Sequence, residues 1–151
     1  MTPSPALLAA RPVAPVAAPL PSPPAVQVLH LDEPLPGFPA HRTYVLVPAE
    51  AAGLLSWLQS VDADGPRFLV VPTAAFFPDY APALPPVACA ELGLASAGEA
   101  RIYAVLTVPA GDVGAATANL RAPLVVAPTT GRARQIVLSD ATHPIRCPVR
   151  R

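Results

Sequence analysis

From about residue 25 onward, turn signals cut this chain into short β-branched and apolar runs, and that spacing constrains the fold more than any other feature. Val26-Gln27-Val28-Leu29-His30-Leu31 alternates as a half-buried strand does, and Thr43-Tyr44-Val45-Leu46-Val47 is a second run of strand-forming residues. Leu54 to Ser60 reads as a third strand. The turn Asp62-Ala63-Asp64-Gly65-Pro66 then leads into Arg67-Phe68-Leu69-Val70-Val71, so 54–71 reads as a hairpin. Ile102 to Val108, Ala118 to Val126 and Gln135 to Leu138 supply three more strands, the last two joined through Thr129-Thr130-Gly131-Arg132. Residues 74–86 read as a loop carrying aromatics. Val87 to Leu92, closed by Gly93, reads as a short helix with a glycine cap, and 142–148 as an extended tail. Short strands at turn-limited spacing predict a mainly β fold: a small antiparallel barrel, closed or nearly closed, with one or two short helices.

The first 25 residues follow a different rule. Proline fixes φ and lacks an amide donor, so the Pro/Ala-rich stretch propagates neither helix nor ladder. Alternating proline and small residues favour polyproline II or disorder, and Pro21-Ser22-Pro23-Pro24 closes the stretch. The expected organisation is a disordered tail over 1–25 and one β domain over 26–151. A Pro-rich ligand for a partner is the sharper reading of the tail, against a solvated leader with no task.

Charge is sparse and balanced, with ten basic and ten acidic residues, and every basic residue is arginine. No strong field therefore points to nucleic acid or to a membrane. Cys89 and Cys147 are too few for a disulfide framework and lack metal-ligand spacing, so no metal or cofactor is expected. The N-terminus has no basic start to a secretory leader and no apolar run approaches a spanning helix, so a cytoplasmic location is expected. His30, His41 and His143 are scattered, and Ser56, Ser60 and Ser139 have no nucleophile-elbow context. The chain therefore reads as a binding module rather than an enzyme. Its contact candidates are Gln59, which shares a strand face with Trp57; Phe77, Asp79 and Tyr80 in the Pro-bounded aromatic loop; and Asn119 and Arg121. Asn119 and Arg121 are two apart in the predicted strand 118–126, so they are expected to project from one face, as a hydrogen-bond clamp or as a binding determinant.

Several words along the chain resemble the FliW family of flagellar assembly factors. They are Leu35-Pro36-Gly37-Phe38-Pro39, Leu58-Gln59-Ser60-Val61-Asp62, Phe76-Phe77-Pro78-Asp79-Tyr80, Val108-Pro109, Thr117 to Val126, and Val137-Leu138 before Asp140 with Pro144-Ile145-Arg146. The likeness runs from about Val28 to the C-terminus. The chain departs from the family pattern at Pro72-Thr73, at His143 and Cys147 in the closing word, and in its neutral charge. The resemblance implies a cytoplasmic protein without an enzymatic step. It would bind flagellin and the translational regulator CsrA in turn, relieving CsrA repression of flagellin mRNA. It implies no direct nucleic-acid contact and no membrane. Two other classes compete with it. One is a nucleic-acid-binding β-barrel using Arg132, Arg134, Arg146, Arg150 and Arg151. The other is a small hydrolase whose site assembles only in the fold.

Overall fold

The computed structural model describes residues 26–149. The expected tail, 1–25, and the terminal Arg150 and Arg151 lie outside the described residues. Four strands open the chain as an antiparallel meander: β1 (Gln27–Leu31), β2 (Thr43–Pro48), β3 (Ser56–Ser60) and β4 (Arg67–Pro72). A short helix, α1 (Thr73–Phe76), and a second, α2 (Pro86–Glu91), precede the long strand β5 (Arg101–Thr107). The chain finishes with β6 (Thr117–Ala118), β7 (Leu124–Val126), β8 (Arg132–Gln135) and β9 (Cys147–Pro148). Strands β5, β4, β3, β2, β1, β8 and β7 hydrogen-bond in that order, and β7 returns to β5, which closes a seven-stranded barrel. A ring of strands that alternate in direction closes without a parallel pair only when the strand number is even. With seven, one seam must be parallel, and it is the β1–β8 seam, where His30 faces Arg132 and Leu31 faces Ala133.

Side-chain alternation fills the barrel. Leu29, Leu31, Tyr44, Leu46, Leu58, Val70, Tyr103, Leu124, Val126 and Ala133 pack inside, while Val28, His30 and Gln59 between them point out. Three strands are buried on both faces over part of their length. Outside β7, Val125 lies under α2 with Cys89, Leu92, Ile136 and Leu138. Outside β4 and β5, Val71 and Ala104 lie under Leu120, Phe76, Phe77 and Tyr80. The double burial explains why Leu124-Val125-Val126 and Val70-Val71 read as unbroken apolar runs. Arg134 ties the first of these covers to the barrel. Its Nε and Nη2 donate to the two carboxylate oxygens of Asp32 at 3.0 and 2.5 Å, and Nη1 lies 2.7 Å from Glu91 Oε1 on α2. These partners, the Asp32 hydrogen bonds first, hold the guanidinium further above its ordinary range.

Two glycines are fixed by close approach. A Cβ on Gly65 would sit 2.4 Å from Ser60 Cβ and Oγ, and one on Gly131, at φ +78°, would sit 2.6 Å from the Val28 carbonyl oxygen.

Four predicted spans differ from the structure. Residues 73–76 form a helical turn inside the expected loop. The third strand begins at Ser56 rather than Leu54. The seventh expected strand lies at 132–135 rather than 135–138, although the amides of Ile136 and Leu138 still donate to the carbonyls of Pro123 and Arg121. The largest difference is at 118–126, where the expected single strand is two pieces, β6 and β7. Ala118 faces Leu106 and Leu124 faces Tyr103, so the chain covers six residue steps opposite three steps of β5. The surplus leaves the ladder as a turn over 119–123, and Pro123 has no amide to offer it.

Candidate partner-binding surface

The turn over 119–123 takes three amides off the strand ladder; that of Leu120 donates to the Pro144 carbonyl, and Asn119 supplies one acceptor to the other two. Its Oδ1 accepts from the backbone N–H of Arg121 at 3.0 Å and of Ala122 at 3.2 Å, while its own amide donates to the Val105 carbonyl. Arg121 faces away from the turn toward the closing segment: Nε donates to the His143 carbonyl at 2.9 Å and Nη2 to the Ala141 carbonyl at 2.8 Å. The two side chains therefore do not share a strand face. Each holds backbone, one within the turn and one across to residues 141–143.

The aromatic loop joins the same assembly. The Tyr80 hydroxyl donates to the Leu120 carbonyl at 2.5 Å, and its ring meets the His143 ring edge-on at 5.2 Å between centroids. Burial pushes the Tyr80 phenol up to about 12. Asp140 accepts from the Thr142 hydroxyl at 2.6 Å and from its amide at 2.9 Å, bonds that hold its carboxyl below the ordinary range. Phe77 is half-buried against Val71, Ala104 and Leu120, and its amide closes the helical turn on Thr73, while Asp79 stands exposed at the loop tip. Three of the sequence words thus meet in space: the aromatic loop, the Asn119 turn and the closing segment.

Gln59 is elsewhere, on the outer face of β3, exposed and in register with Val45 on β2 and Arg67 on β4. Two residues earlier on the same face, Trp57 lies half-buried with the Arg67 guanidinium 4.4 Å from its ring centroid. Sequence reasoning missed that stacking. The signal was present, because a tight turn at 62–66 sets Arg67 opposite Gln59 and within one diagonal of Trp57.

Ser60, by contrast, points inward and meets His41 and Asp62. His41 Nδ1 lies 3.0 Å from Ser60 Oγ and 3.2 Å from Asp62 Oδ2, and the Asp62 amide donates to Ser60 Oγ at 3.1 Å. The residue types are those of a hydrolytic triad, but the geometry is not. Serine and aspartate converge on one ring nitrogen instead of taking one each, and Ser60 is only 4% exposed. The cluster pins the β3–β4 turn to the loop before β2. Among the described residues no group of three or more His, Cys, Asp or Glu is placed to hold a metal ion, and no helix is long and apolar enough to cross a membrane. Of the arginines proposed for nucleic-acid contact, Arg134 is held in its two ion pairs.

The family profile described as FliW protein matches residues 23–149. A flagellar assembly factor FliW from Symbiobacterium thermophilum is 38% identical over 114 residues, covering 75% of this chain and 82% of the relative. Another, from Moorella thermoacetica, is 33% identical over 119 residues, covering 79% of this chain and 75% of the relative. A crystal structure of the flagellar assembly factor FliW superposes with a TM-score of 0.72 at 23% identity, over 81% of this chain and 84% of that one, a likeness of fold. A profile that spans the whole closed barrel, together with relatives matched over most of their own length, leaves one assignment: the chain belongs to the FliW family of flagellar assembly factors.

Proposed function

We propose that this protein acts in the cytoplasm as a partner-switching regulator of flagellar assembly, binding flagellin and the translational regulator CsrA by turns. The observation that carries the reading is the family match over residues 23–149, which takes in every strand of the barrel. While flagellin occupies the protein, CsrA is free and flagellin translation stops. Once flagellin is exported, the protein takes up CsrA and translation resumes. Nothing beyond two linked binding equilibria is required. The surface supports such a role. The outer face of the β3–β4 hairpin carries Gln59 beside the Trp57–Arg67 stack, and the 76–80 loop carries half-buried Phe77, Tyr80 and exposed Asp79. Aromatic and arginine side chains of this kind make good anchors for a protein partner. With ten charges of each sign, recognition rests on shape and local contacts more than on long-range steering. Direct nucleic-acid binding forms no part of the reading.

The test is co-purification and titration with CsrA and flagellin from the same organism. Binding of each, with flagellin displacing CsrA, supports the switch. If neither partner binds at micromolar concentration, the functional reading is wrong while the fold stands.

A further inference from the structure

One end of the barrel opens into two clefts that meet at a single charge. β1, β3 and β5 run in the same direction, so their first residues share that end. On each, a polar residue at the rim is followed two positions on by a core residue inside the barrel: Gln27 then Leu29, Ser56 then Leu58, Arg101 then Tyr103. A cleft of about 480 Å³ crosses this rim from Gln27 past Leu46 and Pro48. At Ser56, Arg101 and Tyr103 it meets a second cleft of about 620 Å³, which continues to Phe77 and Tyr80. Their volumes and their place at a barrel mouth are those of small-molecule sites.

The clefts are electrostatically one-sided, although acids and arginines balance over the whole chain. Among the described residues that line them, Arg101 is the one charged group and there is no carboxylate. Two carboxylates on the adjoining loops are turned to their own backbone. Glu50 accepts from the amides of Leu54 and Leu55 at 2.6 and 3.1 Å, and Glu99 from that of Ala95 at 2.9 Å. Among the described residues nothing pairs with the Arg101 guanidinium. Nothing there hydrogen-bonds the Tyr103 hydroxyl either, although Tyr103 is only 9% exposed. We propose that the joined clefts bind a small organic anion. Its carboxylate or phosphate head meets Arg101, with the hydroxyls of Tyr103 and Ser56 beside it, and its apolar body lies along the proline and aromatic walls. A guanidinium fork matches either head, and a concave, partly dry site strengthens the charge-assisted bonds. A cation finds no carboxylate here, and a neutral ligand leaves the guanidinium unpaired. Phe77 and Tyr80 belong to the loop offered above to protein partners, so on that reading, and on it alone, ligand and partner are linked.

The experiment needs no partner and so is independent of that reading. The full chain is titrated with phenyl phosphate, phenylacetate, inorganic phosphate and benzyl alcohol, and amide spectra are recorded. Saturable shifts are expected at Gly53, Ser56, Arg101 and Tyr103 with one or both organic anions, while Asp62 and Asn119 stay in place. The tighter of the two anions tells a phosphorylated ligand from a carboxylic acid. Arg101→Gln is expected to weaken that anion by about tenfold to a hundredfold, the loss of a charge-assisted hydrogen bond. Tyr103→Phe keeps the ring and is expected to weaken it less. Arg146→Gln removes an exposed charge away from the clefts and is expected to change nothing. Spectra of the free variants outside the clefts check that each is folded. The proposal is overturned if neither organic anion gives saturable shifts, or if Arg101→Gln binds as the parent does or no worse than Arg146→Gln. Benzyl alcohol binding as tightly as the anions overturns the role of charge. Inorganic phosphate binding as tightly as phenyl phosphate overturns the role of the apolar walls.

Discussion

The β3–β4 hairpin and the turn at Asn119 both set polar side chains into apolar sequence, and they use them in opposite ways. Along the hairpin, β3 pairs with β2 on one side and β4 on the other, so its backbone groups are satisfied by the ladder. Its outward polar side chains, Gln59 and Arg67, owe nothing to the backbone and stand on the surface. At 119–123 the chain steps from one stretch of β5 to another and leaves the ladder. There the amides of Arg121 and Ala122 turn to Asn119 Oδ1, and Arg121 in turn meets the carbonyls of Ala141 and His143. The role of a polar side chain is set by the unmet hydrogen bonds of the backbone around it. A motif that looks like a contact in sequence can therefore be a brace.

If that division is right, the largest stability loss comes from Asn119→Ala. It strands two partly buried amides, which costs about 2 kcal/mol. That lowers the thermal midpoint by about 4–8 °C. Asn119→Asp keeps the acceptor and is expected to recover most of the loss. An alanine variant as stable as the parent would break the comparison at its stronger end. Arg121→Ala follows at about 1 kcal/mol, because two carbonyls lose a donor at a site that water partly reaches. Arg121→Lys restores the charge but not the fork that spans both carbonyls, so it is expected to stay near the alanine value in urea unfolding.

The sequence foretold the barrel where one physical signal dominated and missed where two competed. The meander β1 to β4 was legible because period-two alternation and turn chemistry agree there, with Leu29 and Leu31 in and Val28 and His30 out. Leu124 to Val126 was legible as strand for a different reason, burial on both faces, but the break before it was not. Ala118-Asn119-Leu120-Arg121 also alternates, and only the register against β5 shows that the alternation belongs to a turn. Helix α1 was hidden because Thr73-Ala74-Ala75-Phe76 is a single turn between prolines, too short to show a helical period. Of the six proposed contact residues, the sequence placed Gln59 on the surface, and it left Asn119 open between clamp and contact, since both uses need the same amide. Trp57 is a second case. Its alternation with buried Leu58 puts it on the outer face, under Arg67, and neither the alternation nor the shared face with Gln59 announces that stack.

Tyr80 sits between the two regions, linking the aromatic loop to the Asn119 turn, and its effect depends on pH. Its folded value is pushed up to about 12 by burial, above the ordinary value near 10. The unfolded chain therefore releases the phenolic proton first, and the stability tied to the neutral hydroxyl is complete below pH 10 and lost as pH rises through about 12. Urea unfolding followed from about pH 8 to about pH 11 is expected to show a steeper decline for the parent than for Tyr80→Phe. Tyr44, raised in the same direction by burial, leaves part of the slope in both proteins. Equal slopes would mean that the Tyr80 phenol is not withdrawn from water between the loop and the turn.

The smallest stability effects are expected on the hairpin, and they decide whether the surface is free for partners. Gln59→Ala removes an exposed side chain for which the structure gives no backbone partner, so its unfolding free energy is expected to stay within about 0.5 kcal/mol of the parent. Arg67→Ala also loses the stacking on Trp57, worth about 0.5–1 kcal/mol at an exposed site, with a change in Trp57 emission as its signature. On the proposed function these two variants weaken capture of flagellin or CsrA by about tenfold, equivalent to about 1.4 kcal/mol of binding free energy. Asn119→Asp is expected to keep both stability and capture. A Gln59→Ala protein that bound both partners normally would remove the hairpin from the contact surface. One that unfolded as readily as Asn119→Ala would show that Gln59 braces the backbone too, and the division between brace and contact would fall at both ends.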